Sequence, residues 1–294
     1  MSKIFSKAVR SSIVFVVISS GLMSYADVTF ESDVVYGHKD GMALVYDVLK
    51  PEDPNGAAIV FMMSGGWYSS WAPPENRARQ FSGMLDAGFT MIPVYHGSAP
   101  RYHIPDAYSD VSLAIRHIKM NAEDYGVDPE RIGVTGGSAG GHLALMVGLD
   151  SDEGLSDVAE QVMLVGNSVA AVVAYFPPVE FREVESAAVG IVNDVPQAEL
   201  LGRFPALDFD EELIPSIAPI LYVDAGDPPT LLIHGDADPL VDVTHSYAIK
   251  EKFDDHGVES DLIVIPGAEH GFRGEDAALA ASARLAWFQK YLLD

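Results

Sequence analysis

A serine, a histidine and several carboxylates stand where nucleophilic acyl chemistry would need them. Ser138 lies in Gly136-Gly137-Ser138-Ala139-Gly140, directly after the strand-like run Arg131–Thr135 and directly before a helical pattern that includes His142–Val147. A sharp strand-to-helix turn lifts a hydroxyl above the sheet edge, and glycines flank it because no side chain fits there. A serine hydroxyl is a weak nucleophile. It needs an imidazole to take its proton and a carboxylate to orient that imidazole. Two downstream segments offer both. His234-Gly235-Asp236-Ala237-Asp238 closes one strand-like run, and Pro266-Gly267-Ala268-Glu269-His270-Gly271-Phe272 closes the next. His270 is the candidate base, and Asp238, Asp236 and Glu269 are the candidate acids. Glu269 is disfavoured because adjacent loop side chains rarely face each other as an imidazole requires.

These residues must be positioned by a regular frame. Val34–Tyr36 and Leu44–Val48 look like early strands, and Ala57–Met63 is a continuous apolar run of strand length. Such runs suit strands buried on both faces. Thr90–Val94, Arg131–Thr135, Val169–Tyr175, Thr230–His234 and Asp261–Ile265 repeat the pattern. Helical patterns fill the intervals at Arg77–Ala87, Pro105–Asn121 and Thr244–Phe253, and Ala277–Leu293 closes the chain. This alternation predicts an α/β fold, a mostly parallel sheet with helices on both faces. In such sheets ligands bind outside the carboxyl ends of the strands, so the serine, acid and histidine loops would share one rim. The segment from Phe176 to Pro228 breaks the rhythm and reads as an insertion within one domain, of the kind that forms lids.

The chain has 294 residues, 48% hydrophobic and 21% charged, an ordinary globular balance. Its 18 Lys+Arg against 43 Asp+Glu give a formal net charge of −25, which disfavours contact with phosphate backbones and hence with nucleic acid. There is no cysteine, so thiol nucleophiles, disulfides and thiolate metal sites are excluded. At the N-terminus Lys3, Lys7 and Arg10 precede the apolar run Ile13–Leu22 and the small-residue segment Ser24-Tyr25-Ala26. This layout predicts a secretory signal peptide over 1–26, a secreted or periplasmic protein, and a catalytic domain over 27–294. The apolar run is shorter than the ~20 residues of a membrane span, so no stable span is expected after cleavage.

The run Tyr125-Gly126-Val127-Asp128-Pro129-Glu130-Arg131-Ile132, leading into Gly137-Ser138-Ala139-Gly140-Gly141-His142-Leu143-Ala144, resembles the nucleophile region of the α/β-hydrolase superfamily. The closest likeness is to small esterases of the hormone-sensitive-lipase group and to bacterial feruloyl and acetyl-xylan esterases. The segment from Ser216 through Pro228-Pro229-Thr230 to Asp238 resembles their acid region, and with the His270 segment the likeness covers about residues 55–294. The resemblance implies an α/β-hydrolase fold and a carboxylic-ester hydrolase with Ser138 as nucleophile, His270 as base and Asp238 as orienting acid. The family places the acid four residues after the histidine of a His-Gly pair, which selects Asp238 over Asp236.

Those esterases carry His-Gly-Gly-Gly after the third strand, often followed by an aromatic residue. Here the run is Met63-Ser64-Gly65-Gly66-Trp67, which puts Met63 in place of the histidine and Ser64 in place of the first glycine. The Gly65, Gly66 and Ala139 amides are the expected oxyanion donors. Met63 cannot make the bracing hydrogen bond of a histidine, and the Ser64 hydroxyl is the candidate substitute.

Trp67 and Tyr68 are candidate substrate-binding residues, able to stack on a sugar ring or an aromatic acyl group, and Trp71 and Tyr175-Phe176 belong to the same rim. Packing in the core or under a lid is the alternative for all of them. His142 and His234 read as supports for the helix and the acid loop. His38, His96, His103, His117, His245 and His256 show no paired metal-ligand spacing. Asp236, Asp238 and Asp242 lack the glycine turn and terminal glutamate of a calcium loop. No metal or cofactor is implied. The expected partner is a small-molecule or carbohydrate ester. No motif encodes its acyl length, its alcohol portion or the oligomeric state. Two other readings compete: a serine peptidase of prolyl-oligopeptidase type, whose propeller domain this length does not accommodate, and a catalytically inactive hydrolase fold used for binding.

Overall fold

The computed structural model describes residues 28–156, 158–181 and 197–294. The expected signal segment lies outside the described residues. Among the described residues, eight strands form one sheet: β1 (Val28–Lys39), β2 (Met42–Pro51), β3 (Ala58–Met62), β4 (Thr90–Val94), β5 (Ile132–Gly137), β6 (Ala171–Tyr175), β7 (Thr230–Gly235) and β8 (Ser260–Ile265). Their order is β1-β2-β4-β3-β5-β6-β7-β8. β1 and β2 pair antiparallel, β2 pairs antiparallel with β4, and every pair from β4 to β8 is parallel. The carboxyl ends of β3 to β8 therefore share one edge.

Alternating side chains send two apolar clusters to opposite faces of the sheet. On β3, Ala58, Val60 and Met62 enter one cluster while Ile59 and Phe61 face the other. The first cluster lies under α3 (Ile104–Met120), α4 (Ala122–Tyr125), α5 (Ala139–Leu149) and α7 (Thr244–His256). The second lies under α1 (Pro74–Gln80), α2 (Ser82–Asp86) and α8 (Gly274–Leu292). α5 is buried along its whole length, so it is apolar on every side rather than striped. Phe288 of α8 is fully buried, a burial that stabilises by about 1.5–3 kcal/mol.

Four elements differ from the expectation. The helix expected over Arg77–Ala87 begins at Pro74 and splits at Phe81, which sinks into the core against Phe61 at a ring separation of 5.1 Å. β1 and β2 are longer than the apolar patterns suggested, because pairing with each other carries them past their buried residues. β8 was expected to be fully buried, but it is the edge strand and most of its residues are partly exposed. Between β6 and β7, the expected insertion carries α6 (Gln197–Arg203) and short 3-10 turns at Pro205–Leu207, Glu211–Ile217 and Pro219–Leu221. Its residues 182–196 lie outside the described residues. Among the described residues, no helix is long and apolar enough to cross a membrane.

Candidate active site

Ser138 stands between β5 and α5 with φ 56° and ψ −122°. A left-handed φ is unfavourable for a residue with a side chain, a strain of about 1–3 kcal/mol that its surroundings must hold. The Ser138 N–H donates to the Tyr175 carbonyl at 2.9 Å, tying the turn to the neighbouring strand. The flanking glycines are sterically required. A Cβ on Gly136 would fall 2.4 Å from the Gly140 backbone, and one on Gly140 would fall 2.7 Å from the Met62 carbonyl oxygen.

The structure brings the three expected residues together. His270 Nε2 lies 2.9 Å from Ser138 Oγ, and His270 Nδ1 lies 2.7 Å from Asp238 Oδ2. A carboxylate only accepts, so Nδ1 carries the proton and Nε2 is left to accept from the serine hydroxyl. Asp238 is fully buried, and its other oxygen accepts from the Leu240 and Val241 amides at 2.8 and 3.0 Å. Burial raises its pKa, but hydrogen bonds from His234, His270 and these two amides outweigh it and hold the carboxyl well below the usual range. The rival acids have other places. Asp236 Oδ1 accepts from the Gly267 amide at 2.5 Å and braces the histidine loop, and Glu269 is exposed.

His234 supports the acid loop as expected. Its Nε2 donates to the Val241 carbonyl at 2.9 Å, and its Nδ1 lies 2.7 Å from Ser246 Oγ. Phe176, just past β6, packs its ring 4.5 Å from the His270 imidazole and 5.1 Å from Phe272. It is a wall of the site, and its place at the rim beside the serine strand was the only sequence signal for that role.

The oxyanion loop departs from the expectation in two respects. Gly65 and Tyr68 exchange both backbone hydrogen bonds at 3.0 Å, and Gly66 and Trp67 between them have φ 58° and 60°. Left-handed φ at both central positions is the pattern of a type I′ turn. The Gly65 amide is therefore engaged inside its own turn and is not an oxyanion donor, which leaves Gly66 and Ala139 of the three expected. Trp67 is also not a substrate platform, since it is 2% exposed. The turn aims its indole inward, where Nε1 donates to His142 Nδ1 at 3.3 Å and the ring lies 6.1 Å from Phe181. His142 in turn donates from Nε2 to the Ile217 carbonyl at 2.7 Å. Burial pulls this imidazole down to about 4 against the opposing effect of that carbonyl.

Tyr68 and Trp71 are 40% and 52% exposed beside the same loop. Phe204, from the insertion, closes on Gly66. A Cβ there would come within 3.1 Å of the phenyl ring. Nothing in the local sequence around Phe204 announced that contact. Among the described residues, no cluster of three or more His, Asp or Glu is placed to hold a metal ion.

The chain is similar to known esterases in sequence and in fold. Esterase LipQ of Mycobacterium tuberculosis is 27% identical over 86% of this chain, and the match spans 59% of LipQ's own length. The chain thus spans about three-fifths of the curated relatives it first matches. A structure described as a truncated carbohydrate esterase from gut microbiota superposes with a TM-score of 0.72 at 28% identity, covering 90% of this chain and 97% of that one. Thermogutta terrifontis esterase 2, phosphonylated by sarin, superposes with a TM-score of 0.70 at 25% identity, covering 89% and 93%. The profile of one family, BD-FAE, runs through residues 46–253, from β2 past the oxyanion loop, Ser138 and Asp238 into α7. With the sheet order and the serine turn of an α/β-hydrolase behind that match, the chain belongs to the BD-FAE family.

Proposed function

We propose that this protein is a serine carboxylic-ester hydrolase working through an acyl-enzyme. The observation that carries the reading is the unbroken hydrogen-bonded line from Ser138 Oγ through His270 to the buried Asp238 carboxylate, at 2.9 and 2.7 Å. His270 Nε2 takes the Ser138 proton as Oγ attacks the ester carbonyl. The amides of Gly66 and Ala139 hold the oxyanion, the latter at the N-terminus of α5, where the helix dipole adds positive potential. Collapse breaks the ester C–O bond, and His270 returns its proton to the departing alcohol. His270 then deprotonates water, which attacks the acyl-serine. The acid leaves, and Ser138 recovers its proton.

Acetylated or feruloylated carbohydrates are the favoured substrates. Tyr68 and Trp71 are exposed next to the oxyanion loop, where aromatic faces can stack on a sugar or an aryl group. The similar gut-microbiota structure is described as a carbohydrate esterase. The basic, apolar and small-residue order of residues 1–26 supports export. The test is a panel of p-nitrophenyl esters of graded acyl length, acetylated and feruloylated oligosaccharides, and aminoacyl-anilides. Ester turnover abolished by Ser138→Ala is the expected result. Anilide cleavage without ester cleavage would favour the peptidase reading, and no turnover by a folded protein would favour a binding role.

A further inference from the structure

The chain lacks a histidine at position 63, yet a histidine reaches the oxyanion loop from another element. β4 lies beside β3 in the sheet, so the residues following each strand emerge side by side. His96 is the second residue after β4 and is 5% exposed. Its Nδ1 lies 2.8 Å from the Gly97 carbonyl, which can only accept, so Nδ1 carries the proton. Nε2 then presents a lone pair, and it lies 2.9 Å from Ser64 Oγ. The Ser64 hydroxyl therefore donates to it. Burial pulls the imidazole down to about 4, the Gly97 carbonyl opposes this, and the Lys39 charge adds to it, so His96 is neutral at ordinary pH.

The segment carrying His96 is itself fixed. The Gly97 N–H donates to Asp110 Oδ2 at 2.9 Å, and Asp110 Oδ1 pairs with Lys39 at 2.6 Å. The two loops are also laced directly. Ala99 N–H donates to the Trp67 carbonyl at 3.1 Å, Ser69 N–H to Ser98 Oγ at 3.0 Å, and His96 N–H to Ser69 Oγ at 3.3 Å.

We propose that Ser64 and His96 are a positioning pair for the oxyanion loop, a brace supplied by the neighbouring strand in place of the missing loop histidine, which aims the Gly66 amide at the developing oxyanion. The proposal rests on the esterase reading. A brace of this kind acts on the transition state rather than on substrate affinity, since small misplacement of a donor reduces rate steeply.

The test compares Ser64→Ala, Ser64→Thr, His96→Asn and the Ser64→Ala/His96→Asn double variant on one p-nitrophenyl ester. His96→Asn keeps a donor near the Gly97 carbonyl and deletes the Nε2 acceptor. We expect Ser64→Ala to lower kcat about 10- to 100-fold with KM within about twofold, and affinity for a trifluoromethyl ketone to fall in parallel with kcat. Ser64→Thr restores most of the rate, and the double variant loses no more than the worse single one. A Ser64→Ala enzyme with kcat within about twofold of the parent, or with the loss confined to KM, overturns the brace. If His96→Asn does not fold, the Ser64 variants decide alone. The bond is read apart from turnover by 15N spectra of the imidazoles, in which the His96 Nε2 resonance is that of an acceptor and moves in Ser64→Ala. A parent that shows this resonance but hydrolyses no ester overturns the esterase reading. A parent that hydrolyses esters but shows no such shift overturns the brace alone.

Discussion

On the β7–β8 side of the rim, the acid and the histidine are held mostly by their own loops. Asp238 takes two amides from residues two and three places ahead, and Asp236 ties its loop to the histidine loop through Gly267. On the β3 side, the oxyanion loop is held by side chains and carbonyls from remote elements. Trp67 is pinned by His142, His142 by Ile217, Ser64 by His96, and Gly66 is covered by Phe204. The first arrangement is encoded over a few consecutive residues. The second exists only after the sheet has assembled. Damage on the first side should strike chemistry directly, and damage on the second should strike stability, selectivity or rate according to which remote contact is lost.

The largest expected effect is on the triad side. Asp238→Asn should keep the fold but lower kcat by about 10⁴, because the amide favours the wrong imidazole tautomer. Steady-state kinetics beside a circular dichroism melt checks this, and a loss of folding in place of a loss of rate would blur the contrast between the two sides. On the oxyanion side, Trp67→Ala should cost about 3–5 kcal/mol of stability through the cavity it leaves, together with the rate. Urea denaturation measures it.

The two sides should also separate by pH. The buried His96 and His142 are both lowered to about 4, so the unfolded chain binds more protons than the folded one between that value and about 6.5. Their contribution is complete above about pH 6.5 and is lost as pH falls toward 4. Asp238 is held below its unfolded value, so its contribution is lost only at lower pH, below about 4. Melting temperature against pH for His142→Asn should therefore be flatter than the parent between about pH 6.5 and 4, by an amount on the order of 3 kcal/mol. An unchanged slope would mean that His142 is protonated in the folded protein. The smallest effect belongs to Phe204, which is half-buried. Phe204→Ala should shift kcat/KM toward bulkier esters by about tenfold with little change in stability. The same ester panel shows it.

The serine turn was legible because its backbone admits few residue types. The acid and histidine were legible because each closes a strand at the same rim. What escaped the sequence was what adjacency in space decides. His96 and Ser64 are 32 positions apart and meet only because β4 lies beside β3. The histidine looked idle because no metal-ligand spacing marked it. Gly65 looked like a free donor because the turn that engages its amide needs a left-handed Trp67, a conformation no propensity predicts for tryptophan. That same turn buries the ring expected to meet substrate. β8 read as an interior strand because an apolar run does not reveal that, among the described residues, it is the last strand of the sheet.

The most direct measurement is reaction of the intact protein with a fluorophosphonate, followed by peptide mass spectrometry. One equivalent bound at Ser138, lost in Ser138→Ala and strongly slowed in His270→Ala, is the expected result. A folded protein that takes up no label, or is labelled at another residue with its ester hydrolysis extinguished, would remove Ser138 from the chemistry.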